Sequence, residues 1–353
     1  MASRAALVLA GGNATRFQMG QQGWQDKALI LFEDKPFLVH AIENVRGTVD
    51  EVIVCVNDEN RKEKYRKVLE SYSLSAKIVV DEKTEVGGPM RAIFTGLKTT
   101  HANHCLIIPC DMPFIKTNVI EYLFNTSKNF DVVMPMWPNG KLETLFMILK
   151  HSQGWEIVQT LCQLYRSHVD DIPRAAAKVL LPSPVKDIKN LDPELKSFIN
   201  INCQKDLEKL QPRNTQNLHI KEDTQFLREN NLTPTLQLVR KAVKMQQENN
   251  FTIAQEKLEA CKKHFETGNN FFWTAITCEY LGETLLKQLQ LQKNTDKQTS
   301  LSYKSKVQTA FLDAANNYDN EAKIYDKTGC IRLLERSFTD KTRCKSLYNK
   351  YMQ

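Results

Sequence analysis

An apolar run, Ala5-Ala6-Leu7-Val8-Leu9-Ala10, stops on two adjacent glycines, Gly11 and Gly12. A buried strand that ends this way presents backbone N–H groups with no Cβ in front of them, an arrangement suited to cradling a phosphate. Arg16 and Lys27 follow within reach of the same turn, one a planar fork that grips two oxygens, the other a compact point charge. Strand, glycine turn and two cations together predict a polyphosphate site.

The next 190 residues repeat the theme that makes such a site possible. Short, often β-branched runs at Val52–Val56, Ile78–Val80, Leu106–Pro109, Asp131–Pro135, Thr144–Leu149 and Val179–Leu181 read as strands. Helical patterns separate them. One is opened by Pro36, with Leu38, Ile42 and Val45 on a stripe; another covers about 59–71; a third is opened by Pro89 and carries Ile93 and Leu97. The alternation predicts an α/β domain, Rossmann-like, with a mainly parallel sheet. Ligands of such sheets sit beyond the carboxyl ends of the strands, the edge where Leu9–Gly12, Asp81 and Asp111 all fall.

Length and charge bound the rest. At 353 residues the chain suits two domains. The net charge of +7 is uneven: residues 1–210 hold 26 Lys+Arg against 25 Asp+Glu, and residues 211–353 hold 22 against 16. Lys and Glu interleave there along helical segments, a pattern of solvated helix faces, so nucleic-acid binding is not expected. Nine dispersed cysteines form no C-x-x-C pair, which argues against structural zinc and fits a reducing compartment; Cys55 and Cys105 lie inside apolar runs. No stretch approaches about 18 continuous apolar residues, and no leader precedes the first strand, so the expected location is cytoplasmic, without membrane contact.

The character changes after about residue 210. Gln211–Asn217, with Pro212, reads as a linker, placed at 211–230, and no strand is expected beyond it. Ala254, Leu258, Cys261 and Phe265 keep helical spacing, Gly268-Asn269-Asn270 makes a turn, and Phe272, Ala275, Cys278 and Leu281 open another helix. Ala310, Ala314, Tyr318, Ala322 and Tyr325 repeat the spacing before Gly329 and Ile331. Residues 231–353 are thus expected to be all-α, helical hairpins similar to tetratricopeptide repeats, with docking of a protein partner as their expected role.

Asp111, in Ile107-Ile108-Pro109-Cys110-Asp111-Met112-Pro113, leaves a buried strand at the ligand edge. A carboxylate there suits Mg2+, which takes one or two protein carboxylates and completes its shell with phosphate oxygens and water. It could equally cap the following helix.

Leu-Ala-Gly-Gly, a following Arg, then Asp26-Lys27, Gly88-Pro89 opening a helix, and Cys110-Asp111-Met112-Pro113, in that order, resemble the MobA-type nucleotidyltransferases, the molybdenum cofactor guanylyltransferases. The resemblance covers residues 1–210, with Phe198-Ile199-Asn200-Ile201-Asn202 and Asp206-Leu207 in place of that family's closing strand and helix. It implies transfer of GMP from GTP to the phosphate of the molybdopterin cofactor, with release of pyrophosphate. By position it implies that Leu9, Ala10, Gly11 and Gly12 form the nucleotide loop, with Arg16 and Lys27 on the phosphates. It makes Asp81 an acidic nucleotide contact and Asp111 the magnesium ligand, and sets Asn200, Asn202 and Glu143 near the acceptor. The family's asparagine after the second strand matches Cys55 without a gap, or Asn57 with a two-residue shift. The loop from Asn13 to Gln25, including Trp24, is about five residues longer than the family expects. Cytidylyl transfer, another acceptor such as cobinamide or a sugar phosphate, and a non-catalytic nucleotide-binding adaptor are the alternatives.

Overall fold

The first strand of the chain becomes an interior strand of its sheet, paired in parallel on both sides. The computed structural model describes residues 3–12, 26–202, 222–228, 231–291 and 297–351. They divide into two units: the first spans 1–138, 142–172 and 178–225, and the second joins 139–141 and 173–177 to 226–353.

The first unit is built on β1 (Arg4–Leu9), β4 (Glu51–Val56), β5 (Lys77–Val80), β6 (His104–Pro109), β7 (Val132–Val133), β8 (Met147–Lys150) and β9 (Lys178–Leu181), with β2 (Leu31–Phe32) and β3 (Lys35–Pro36) forming a separate small ribbon. The sheet runs β10-β9-β7-β8-β6-β1-β4-β5, where β10 is Thr224–Leu227. Pairs β6–β1, β1–β4, β4–β5 and β7–β9 are parallel, whereas β8 lies antiparallel to both β6 and β7. The expected mainly parallel α/β sheet is observed.

Both sheet faces are covered, which is why the central strands are continuously apolar rather than alternating. Ala6 and Val8 of β1, Val54 of β4 and Ile108 of β6 share one core with helices α1 (Phe37–Val45), α2 (Glu59–Ser71) and α4 (Thr117–Thr126). On the opposite face Leu7 meets Gly96 of α3 (Pro89–Thr99), and α3 packs on α5 (His151–Gln163). The Asp58 carboxylate caps α2 by accepting from Arg61 N at 2.8 Å, and Gly88 at φ 68° precedes Pro89 at the start of α3.

Two expectations need correction. Thr224–Leu227 is a strand inside the stretch expected as a linker; four residues with Thr224 and Phe226 buried and Gln225 and Leu227 exposed are too short a pattern to stand out. Phe198–Asn202 is not a strand: a 3-10 turn at Lys196–Phe198 leads into an extended segment whose Ile201 N–H bonds to Asp111 O at 3.0 Å. Both sides of β6 are already paired, with β1 and β8, so this segment reaches the sheet only past the strand end. The helix expected at Asp206-Leu207 lies outside the described residues.

The second unit contains α6 (Thr233–Gln247), α7 (Phe251–Thr267), α8 (Phe271–Leu291), α9 (Lys297–Thr328) and α10 (Ile331–Lys350). Each packs on its neighbour in the chain, as helical hairpins do, with Asn249, Asn269 and Gly329 in the left-handed region at the turns. The lengths, with 21 residues in α8 and 32 in α9, exceed those of a two-helix repeat of about 34 residues. Residues 173–177 belong to this unit for a physical reason. Arg174, fully buried, pairs with Glu321 at 2.6 Å and Asp340 at 2.8 Å and lies 4.5 Å from the Phe272 ring centre, while Trp273 Nε1 donates to Ala175 O at 2.8 Å. None of the helices among the described residues is long and apolar enough to cross a membrane.

Candidate active site

Strand register alone brings the key positions together. Leu9 lies opposite Cys55 on one side and Pro109 on the other, and Val56 lies opposite Val80. Two residues on, Gly11, Asn57 and Asp111 leave three adjacent parallel strands at the same level, with Asp81 beside Asn57. Because β1 is where the chain switches from building one side of the sheet to the other, these carboxyl ends bound a crevice. A cavity of about 550 Å³ lies there.

Leu9, Ala10, Gly11, Gly12, Lys27, Asp81, Asp111 and Asn202, all expected site residues, line it. Lys27 donates to the Asp111 carboxylate and, at 3.0 Å, to Asn202 Oδ1. The other Asp111 oxygen is buried without a hydrogen-bond partner among the described residues. An orphaned carboxylate oxygen in a polar crevice fits a hard cation, so Asp111 is a fit seat for a metal. Among the described residues no group of three or more Asp, Glu, His or Cys side chains could hold a metal ion, and Mg2+ needs only one or two protein carboxylates. Burial pushes the Asp81 carboxyl up to about 6, partly opposed by the nearby Arg91 guanidinium. Cys110, next to Asp111, is buried, and burial together with the Asp111 carboxylate pushes its thiol up to about 12.

Other expected residues fall elsewhere. Glu143 is not in the cavity wall; its carboxylate accepts from Trp137 Nε1 at 2.5 Å. Asn200 is also absent from the wall, although Asn202, two residues on, is in it, because the segment is not a regular strand. Arg16 and Trp24 lie outside the described residues. Between Cys55 and Asn57 the register decides: Cys55 is fully buried in β4, while Asn57 lines the cavity and donates from Nδ2 to Gly11 O.

Sequence reasoning passed over Arg61, Tyr65 and Arg91, and named Asp26 only as part of the Asp26-Lys27 motif, with no role of its own. Asp26 caps the 3-10 turn Lys27–Leu29 and accepts from Tyr65 Oη at 2.8 Å. Arg61 donates to Gly11 O at 2.9 Å and lies 3.5 Å from the Asp26 carboxylate. The available signal was the stripe Arg61, Tyr65, Leu69, the buried face of an otherwise charged helix.

Residues 6–178 match the family model described as the MobA-like NTP transferase domain. Two proteins each named probable molybdenum cofactor guanylyltransferase are similar to this chain. The one from Methanosarcina acetivorans is 32% identical over 209 residues, covering 59% of this chain and 90% of the relative. The one from Methanosarcina mazei is 31% identical over 207 residues, covering 59% and 89%. A crystal structure of molybdopterin-guanine dinucleotide biosynthesis protein A from Archaeoglobus fulgidus is 24% identical, covers 58% of this chain and 95% of that one, and superposes with a TM-score of 0.47. On the strength of its Methanosarcina relatives and the matched domain, this chain is a nucleotidyltransferase of the MobA-like NTP transferase family.

Proposed function

We propose that the chain transfers GMP from GTP to the phosphate of the molybdopterin cofactor, releasing pyrophosphate. The observation that carries this reading is the convergence of the glycine turn, Lys27, Asp111 and Asn202 on one crevice at the carboxyl ends of β1, β4 and β6. The names of the Methanosarcina relatives support the choice of base and acceptor.

In this reading an oxygen of the acceptor phosphate attacks the α-phosphorus of the nucleotide. The bond from that phosphorus to the oxygen bridging to the β-phosphate breaks, and pyrophosphate leaves. Such a reaction needs positioning and charge neutralisation more than covalent help. Gly11 and Gly12 let the backbone approach the phosphates, Lys27 brings a positive charge to them, and Asn202 Oδ1 accepts from the Lys27 ammonium. Asp111 would hold Mg2+, which when bound neutralises phosphate charge.

The test is pyrophosphate release by the full chain with GTP, Mg2+ and molybdopterin, repeated with CTP and ATP. GTP should be preferred over CTP by at least about tenfold, a difference of about 1.4 kcal/mol. Equal use of CTP would leave the transferase reading and remove the base assignment. No release with any nucleotide, and no nucleotide binding by calorimetry, would overturn the proposal. Binding without release would favour a nucleotide-binding adaptor.

A further inference from the structure

We propose that Arg61 and Tyr65 are positioning residues: from one face of α2 they clamp the glycine turn to the Asp26–Lys27 turn and aim the backbone that holds the nucleotide phosphates. This rests on the nucleotide reading of the cavity.

Arg61 and Tyr65 stand one helical turn apart, at i and i+4, and are 6% and 0% exposed on a helix whose other face is charged and solvated. Burying a guanidinium and a phenol is costly unless both are hydrogen-bonded. Here the bonds go to two segments far apart in sequence. Arg61 Nη1 donates to Gly11 O at 2.9 Å, and Arg61 Nε lies 3.5 Å from Asp26 Oδ2. Tyr65 Oη is 2.8 Å from Asp26 Oδ1 and 3.2 Å from Ala10 O; its one proton goes mainly to the closer, charged acceptor. Burial and the Asp26 carboxylate hold the Tyr65 phenol far above its ordinary range, so it stays a donor.

The consequence follows from peptide geometry. In a planar trans peptide the C=O and the next N–H point in opposite directions. Gly11 O is held by Arg61 and by Asn57, so the Gly12 N–H points away from those donors. Ala10 O faces Tyr65 Oη at 3.2 Å, so the Gly11 N–H of the same peptide points away from α2, in the same sense as that of Gly12. Asp26, gripped by the same two side chains, caps the turn that starts at Lys27 and so sets where the Lys27 stem leaves the backbone. One helix face thus aligns both the amide and the ammonium parts of the phosphate site.

The test measures GTP dependence of pyrophosphate release in Tyr65→Phe, Arg61→Lys and Arg61→Met, each alongside melting temperature and circular dichroism. Tyr65→Phe keeps the ring and should fold. It should raise the GTP KM about tenfold, with kcat within about twofold, because both ground and transition states bind the same phosphates. Arg61→Met should raise KM further and Arg61→Lys should recover part of the loss. Binding of inorganic tripolyphosphate, followed by calorimetry, should weaken in parallel. A lowered melting temperature with unchanged KM and unchanged tripolyphosphate affinity in Tyr65→Phe would make the pair merely structural and overturn the inference. Failure of the wild-type chain to release pyrophosphate would instead sink the transferase reading, while tripolyphosphate binding would still decide the clamp.

Discussion

Lys27 donates to Asp111, so the cation expected on the phosphates and the carboxylate expected on the metal are in direct contact. Both side chains are largely shielded, at 17% and 14% exposure, and Asn202 adds a third member. Groups so linked act as a unit in turnover. Asp111→Asn and Lys27→Met should each lower kcat/KM for pyrophosphate release by about 100-fold or more, the scale of losing one preorganised electrostatic contact. The double variant should lose little beyond the worse single one. Strictly multiplicative losses would show that the two residues act independently.

Asp81 predicts a pH dependence of stability. Burial raises its carboxyl to about 6, above the roughly 3.9 of an unfolded aspartate. The folded chain therefore binds this proton more tightly than the unfolded chain. The stability it contributes is fully present below about pH 4 and is lost as pH rises through about 6. Asp81→Asn should melt close to wild type near pH 4 and above it at pH 7.5, as read by differential scanning fluorimetry. A variant that melts below wild type at pH 7.5 would contradict the desolvation argument.

Gly96 allows α3 to sit against β1, the strand that carries the glycine turn. A Cβ built there would lie 2.7 Å from Leu7 Cδ1 and 3.0 Å from Leu7 Cδ2. Gly96→Ala should destabilise the first unit by about 1–3 kcal/mol in urea unfolding, the usual cost of overpacking. Shortening the neighbour with Leu7→Val in the same chain should recover part of the loss.

Arg174 balances two buried carboxylates, those of Glu321 and Asp340. Arg174→Met should cost about 3–5 kcal/mol, because it takes the guanidinium away from buried Glu321 and from Asp340, which keeps a longer 3.3 Å contact to Arg343. Trp273, fully buried and bonded to Ala175 O, reports the transition by fluorescence. Adding Glu321→Gln and Asp340→Asn should return much of the stability. A chain cut at about residue 210 would keep Arg174 and lose the Glu321 and Asp340 carboxylates, so it is a poor probe of the helical unit's role.

Much of the first unit was legible because its signals are local. The helix at Glu59–Ser71, the proline-opened helices and the centres of the long strands all follow from the periodicity of neighbouring side chains. The four-residue strand at Thr224–Leu227 was missed because so short an alternation resembles a loop until β9 lies beside it. Asn200 and Asn202 were both expected near the acceptor, yet the segment reaches the site as extended chain past a filled sheet, and Asn202 lines the cavity while Asn200 does not.

By itself the sequence determined the order of strand, glycine turn and charged residues, and the division into an α/β part and a helical part. Those properties are written in spacing along the chain. Tertiary structure decided which side chains meet. Parallel register set Asn57, not Cys55, beside Gly11; α2 placed Arg61 and Tyr65 behind the glycine turn; and buried charge pairing drew residues 173–177 into the helical unit. The reason is the same in each case. Periodicity tells which face of an element is buried, while the partner on that face is fixed only when distant strands and helices close on one another.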